Sequence, residues 1–79
     1  MDVFSEIKEL IARQCAVDEA EVVAQAHLQD NLGADSMGLM ILAEAISRQY
    51  GIEILIDDLV DIENVGELVK LVEARVSSK

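Results

Sequence analysis

Ser36-Met37-Gly38-Leu39-Met40-Ile41-Leu42-Ala43-Glu44-Ala45-Ile46-Ser47-Arg48-Gln49-Tyr50-Gly51 is the clearest helical stretch in the chain. Asp35 or Ser36 can serve as its N-cap, because a short polar side chain there accepts from a free N–H of the first turn. Gly51 stands where a helix favours a left-handed residue just past its end. Take Leu39 as zero and advance about 100° per residue. Leu42, Ala43, Ile46 and Tyr50 then lie within roughly 60° of it, a stripe wide enough to face a core. Met37, Ile41, Glu44 and Arg48 fall near the opposite side, and Met40 lies on a flank. Large apolar groups therefore occupy the face that should meet water. Either loops wrap both faces, or this side docks a partner through adaptable Met and Ile contacts. The second reading is favoured.

Working outward, residues 3–15 read as a helix with Asp2 at its start. Val3, Ile7, Leu10, Ile11 and Cys15 fall on one face, which makes Cys15 a small core residue and not a reactive thiol. Asp18 and Glu21 have the spacing of a capping box and predict a short turn. A long connection, Val22 to Asp35, follows. Loops this long in small domains are functional or pack their own apolar residues, and Val22, Ala26 and Leu28 are candidates for that packing. His27 has no ligand-spaced companion and reads as an ordinary loop histidine. Ile52 to Ile56 is apolar enough for a strand but has no partner strand in the chain. It reads as a loop leading into one or two helical turns capped by Asp57. Asn64 caps a last helix with apolar positions Val65, Leu68, Val69, Leu71, Val72 and Val76, and Ser77-Ser78-Lys79 should fray. The expectation is an all-α fold. It is a small four-helix bundle, three main helices plus one short, with a long first loop, as a single domain over residues 1–79.

The 79 residues carry 16 acids against 6 bases, a net charge of −10. A domain this acidic repels phosphate backbones and anionic membranes, so nucleic acid and membrane insertion are not expected. Basic patches on a partner would be attracted to it. Apolar residues make up 52% of the chain, too many for a disordered acidic tail. With one Phe, one Tyr and no Trp, the core must be aliphatic. One Cys excludes an internal disulfide. No signal-peptide core is present and Leu39 to Ala43 is too short to span a bilayer, so a cytoplasmic monomer is expected. One His and one Cys assemble no nucleophile–base set or metal cluster, which argues against a stand-alone enzyme. No calcium-binding loop pattern occurs.

Ser36 ends the loop and opens the central helix. An anionic group on its oxygen would sit in the favourable field of the helix N-terminus, and Gly33 lets the chain turn and another protein approach. On these grounds alone the simpler reading of Ser36, an N-cap and no more, prevails, because Ser caps are very common. Asp30-Asn31-Leu32-Gly33-Ala34-Asp35-Ser36-Met37, however, closely resembles the signature of acyl carrier proteins. The early helix, the loop residues Val22, Ala26 and Leu28, and Gly51, Ile54, Ile62 and Val65 also fit that family pattern. The resemblance implies a non-catalytic carrier with 4′-phosphopantetheine on Ser36, within the motif Gly33, Ala34, Asp35 and Met37. A phosphopantetheinyl transferase would install the arm from coenzyme A with magnesium, Asp35 orienting the reacting groups. Acyl groups held as thioesters would then be presented to loading, elongating or transferring enzymes of fatty-acid or specialised lipid synthesis. Ile46, Ile54, Leu59, Ile62 and Leu68 would line a shelter for the acyl chain.

The chain departs from that pattern in ways that point to a specialised carrier. Helix 37–50 has one acid, Glu44, opposed by Arg48, and Gly38 and Ile41 stand where acids are common. The acids are displaced to Glu53, Asp57, Asp58, Asp61, Glu63 and Glu67. The docking surface is expected at Met37, Met40, Ile41, Glu44, Arg48, Asp57 and Asp58. Leu59 and Leu68 are larger than the alanines often found there, which implies a tight cavity and a short or exposed cargo. Two alternatives remain open. One is a carrier for an amino acid or polyketide unit. The other is an unmodified helical interaction module in which Ser36 only caps.

Overall fold

The computed structural model describes residues 2–33 and 35–78. Helix α1 spans Val3–Cys15. Asp2 starts it, accepting from Phe4 N–H at 3.2 Å and from the Ser5 hydroxyl at 2.7 Å. The helix ends on Ala16 at φ 56°, a left-handed residue without the glycine that usually eases this geometry. A 3-10 turn, Glu19–Glu21, follows, with Asp18 N–H donating to Glu21 Oε2 at 3.2 Å as the expected box requires. Helix α2 is Ser36–Tyr50, closed by Gly51 at φ 64°. Helix α3, Ile56–Val60, is five residues long, and α4 runs Val65–Ser77. The described residues contain no strand, and the fold is the expected all-α four-helix bundle. None of its helices is long and apolar enough to cross a membrane.

Helix α1 packs on α2 and α4, and α3 packs on α2. Each helix buries the stripe its periodicity marks. Ile7, Leu10 and Ile11 meet Leu39, Leu42, Ala43 and Ile46, with Val65, Leu68, Val69 and Val72 closing the other side. Val22, Ala26, Leu28 and Leu32 from the long loop join the same cluster. The loop is therefore part of the core. It also completes α4. The first free N–H groups of that helix, on Val65 and Gly66, donate to Ala26 O at 3.0 Å and Ala24 O at 2.8 Å, and Asn64 Oδ1 accepts from Glu67 N–H at 2.9 Å. A Cβ on Gly66 would lie 3.3 Å from Ala24 O, so this close approach favours glycine.

Several local expectations need correction. Asp57 does not cap α3. The N-cap lies two residues earlier, at Leu55, so the helix begins at Ile56, and it is Asp58 whose Oδ2 reaches back to accept Leu55 N–H at 3.0 Å. Cys15 lies at the rim of the core, half-buried, where desolvation pushes its thiol pKa up. Val76 is exposed, and Leu71 only half-buried. The tail holds longer than expected: α4 includes Ser77, and the Ser78 hydroxyl donates to Ala74 O at 3.0 Å. Lys79 lies outside the described residues.

A polar tie joins α1 to α2 where both are half-buried. The Tyr50 hydroxyl donates to Glu6 Oε1 at 2.6 Å. Burial first, and then the bond and charge of Glu6, push the Tyr50 pKa up to about 12. Tyr50 is the chain's one tyrosine, so phenolate absorbance reads it alone. Its native value lies above the ordinary 10.0, so its contribution to stability is complete below that pH and is lost as pH rises through about 12. Absorbance titration should find ionisation near 12; a midpoint at the ordinary value would show the tie is not made. Tyr50→Phe should lower stability by about 1 kcal/mol near neutral pH.

Candidate functional site at the mouth of α2

Asp35 decides where α2 begins. Its backbone is extended, at φ −90° and ψ −173°, and its Oδ1 accepts Gly38 N–H at 2.8 Å. Its carbonyl accepts Leu39 N–H at 2.8 Å. Asp35 is therefore the N-cap and Ser36 the first helical residue. This removes the reading in which Ser36 serves as the cap. The Ser36 side chain is exposed, and its hydroxyl has no hydrogen-bond partner among the described residues. The N–H groups of Ser36 and Met37 are likewise unpaired, as the first N–H groups of a helix are. Gly38 sits in the first turn, where glycine costs about 0.8–1.0 kcal/mol relative to Ala; the Asp35 bond to its N–H steadies that turn.

The approach to Ser36 is fixed from the loop side. Leu28 and Leu32 are buried. His27 O accepts Asn31 N–H at 2.9 Å and Leu32 N–H at 3.1 Å, and Asn31 Oδ1 accepts His27 N–H at 2.7 Å. His27 Nδ1 in turn accepts from Gln29 and Asp30 N–H groups, each at 3.2 Å. His27 thus organises the turn, a role its isolation in sequence does not reveal. Gly33 follows at φ 72°, with open space where a Cβ would stand. Ala34 lies outside the described residues.

The outer face of α2 is apolar, as its helical angles imply. Met37, Met40 and Ile41 are 69%, 57% and 46% exposed. Glu44 and Arg48 pair with each other at 3.0 Å, so they lend this face little net charge. Beside it runs an open groove of about 730 Å³ between α2 and the 52–57 segment, with Met40, Ala43, Ser47, Ile54 and Leu55 among its walls. Asp57 is exposed on its rim, while Asp58 is half-buried and engaged. Of the five shelter candidates, Ile54 lines this groove. Ile46, Leu59 and Leu68 are packed in the core at 0–1% exposure, and Ile62 is half-buried against it.

Two functional side chains escaped the sequence reading. Ser47 replaces a strand partner for the apolar 52–55 segment: its Oγ accepts Ile54 N–H at 2.9 Å and donates to Ala43 O at 2.8 Å, with Ile54 O also in reach at 3.2 Å. Arg75 crosses from α4 to the acidic stretch, which has no base of its own. It donates to Glu53 O at 2.8 Å and to Asp58 Oδ1 at 3.2 Å. A lone Ser inside an apolar helix and a lone Arg in the last turn of another were the available signals.

The Ser36 hydroxyl thus stands exposed at the start of α2. Comparison with known proteins gives the family. Residues 5–72 match the family described as the phosphopantetheine attachment site. The chain is 35% identical to an acyl carrier protein of Thermotoga maritima, over 95% of this chain and 93% of that one. It is 38% identical to the acyl carrier proteins of two Helicobacter pylori strains, over 92% of this chain and 94% of each. The chain belongs to the acyl carrier protein family. It is a non-catalytic carrier of acyl groups on phosphopantetheine, and its partners are a phosphopantetheinyl transferase and acyl-processing enzymes.

The Asp58 carboxyl is held below the ordinary aspartate value of 3.8, first by the Leu55 N–H it accepts and then by Arg75, against an opposing effect of burial. A depressed native pKa contributes stability above the ordinary value and loses it as pH falls through the native one. Asp58→Asn should therefore be less stable than the wild type near neutral pH, by about 1 kcal/mol or less because both partners are partly solvated. In denaturant unfolding at stepped pH, that gap should close below pH 3.8; a gap that stays constant would contradict the ion pair.

Proposed function

We propose that Ser36 is the attachment point of the phosphopantetheine arm and that residues 1–79 act as a single carrier domain. The observation that carries this reading is the division of work at the helix mouth. Asp35 caps the helix through Gly38 N–H, so the Ser36 hydroxyl is left exposed and free of any fold duty. The residues present suit the group. The arm supplies a terminal thiol for thioester chemistry, and its phosphate end requires a favourable place for negative charge. Ser36 offers that place, at the positive end of α2 beside unpaired N–H groups. Ser36 Oγ attacks the pantetheine-side phosphorus of coenzyme A, the pyrophosphate P–O bond breaks and 3′,5′-adenosine bisphosphate leaves. The hydroxyl proton is taken up by a base of the transferase, with Asp35, the neighbouring residue, orienting the reacting groups. Gly33 and Met37 frame the approach, with Gly33 open enough for a transferase to come close.

Recognition would rest on shape more than on charge. Met37, Met40 and Ile41 meet an apolar patch on the partner, and the Glu44–Arg48 pair marks its edge. Asp57 supplies the nearby acid for a basic residue, whereas Asp58 is already held by Arg75. Ile46, Leu59 and Leu68 are closed off from solvent, so an acyl chain reaches them only if the surrounding elements part. The groove at Ile54 is the ready seat for a short fatty-acyl cargo. Each sheltered CH₂ would contribute about 0.8 kcal/mol. The domain acts as a cytoplasmic monomer, where a lone thiol stays reduced.

Intact mass after incubation with magnesium, coenzyme A and a broad-specificity transferase tests the attachment. The wild type should gain one phosphopantetheine and Ser36→Ala none. The control is clean because Asp35 still caps the helix, so the variant should match the wild type in thermal midpoint. Failure of several transferases to modify the wild type would favour an unmodified interaction module. For the docking face, Met40→Asp should raise the transferase KM by about tenfold, within the range for a central apolar contact. Its side chain is 57% exposed, so stability should hold; an unchanged KM would remove Met40 from the interface.

A further inference from the structure

The fastening of α3 to the rest of the bundle is uneven. Its Leu59 is buried and α3 rests on α2, but its tie to α4 is polar. Arg75, in the last turn of α4, uses both ends of its guanidinium. Nη1 donates to Glu53 O at 2.8 Å, and Nη2 donates to Asp58 Oδ1 at 3.2 Å. The other Asp58 oxygen accepts Leu55 N–H at 3.0 Å. One side chain thus holds both the segment that walls the groove and the first turn of α3. From the opposite side, Ser47 Oγ holds Ile54 of the same segment. Ile54 is part of this wall, while Leu59 of α3 and Leu68 of α4 are buried in the core and do not line the groove. An acyl chain passing from the groove into the bundle must displace the wall. The bonds from Ser47 let the wall move with α2; those from Arg75 tie it to α4. The tie is partly solvated, at 40% side-chain exposure for Arg75 and 28% for Asp58, so it can open without dismantling the core.

We propose that Arg75 is a positioning residue that sets the length of acyl chain the carrier shelters, by holding Glu53 and Asp58 against α4. Closed, it confines the cargo to the open groove. Released, it lets α3 swing away from α4, and the space beside Leu59 and Leu68 admits further methylenes. This rests on the reading of Ser36 as the attachment point.

The test loads wild type, Arg75→Ala and Ser36→Ala with a transferase and acyl-coenzyme A thioesters of increasing length, checked by intact mass. Protection of each thioester from hydroxylamine is then measured. One more sheltered methylene should raise protection by up to about fourfold. In the wild type the rise should stop at short chains. In Arg75→Ala it should continue by two or more methylenes, giving about tenfold more protection at long chains. A merely structural role for Arg75 would lower the thermal midpoint equally at every chain length and leave the protection profile unchanged. That result overturns the proposal. If Arg75→Ala does not fold, Arg75→Lys gives the same readout, because an ammonium lacks the fork that spans both acceptors. Failure of the wild type to gain mass on Ser36 would reject the carrier reading and the latch together. Normal loading with coincident profiles would reject the latch alone.

Discussion

The bond from Gly38 N–H to the Asp35 carboxylate is the constraint on which the functional end of the molecule depends. Burial of Leu39, Leu42, Ala43 and Ile46 sets the rotation of α2 and leaves Met37, Met40 and Ile41 outside. The cap fixes where that helix begins, making Ser36 its first residue with a hydroxyl released from capping. Cap and core stripe thus agree on where α2 begins, and a change at the Ser36 side chain would leave the Asp35 bond in place.

A rigid mouth would be of little use at the end of a slack loop. The chain prevents slack by treating the loop as core. Val22, Ala26, Leu28 and Leu32 are buried within the same range as the helical core residues. The carbonyls of Ala24 and Ala26 receive the first N–H groups of α4, so the loop and the last helix each satisfy polar groups of the other. The His27 ring and backbone close the turn just before Gly33. For a chain with one Phe and no Trp, recruiting loop aliphatics is a direct way to enlarge a small core.

The boundaries of α1, α2 and α4 were legible because capping residues and a 3.6-residue period act over a few positions. The same holds for the apolar outer face of α2 and for Ser36 as a helix-mouth hydroxyl. What sequence could not show is carried by side chains that reach across the fold. Arg75 meets Asp58, and Tyr50 meets Glu6, from different helices. Ser47 stands in for the strand partner that Ile54 lacks. The exchange of Asp57 for Asp58 at α3 has a local cause: two adjacent aspartates could each cap a short helix, and only the position of Leu55 relative to the first turn separates them. The shelter residues were legible as apolar and buried, but not as a solid core flanked by an open groove. That distinction depends on where α3 sits.

The position of α3 follows from its length. Five residues cannot hold a helix by hydrogen bonding alone, since nucleation costs more than so short a run returns. Its stability comes from outside: Leu59 in the core, Asp58 reaching back to Leu55 N–H, and Arg75 on Asp58. Two of those three supports are polar and partly solvated, and both converge on Asp58. The frame of α1, α2 and α4 is held by apolar contact along full helical faces, which resists gradual deformation. The molecule thus has its firmest packing under Ser36 and its least supported element, α3, beside the groove.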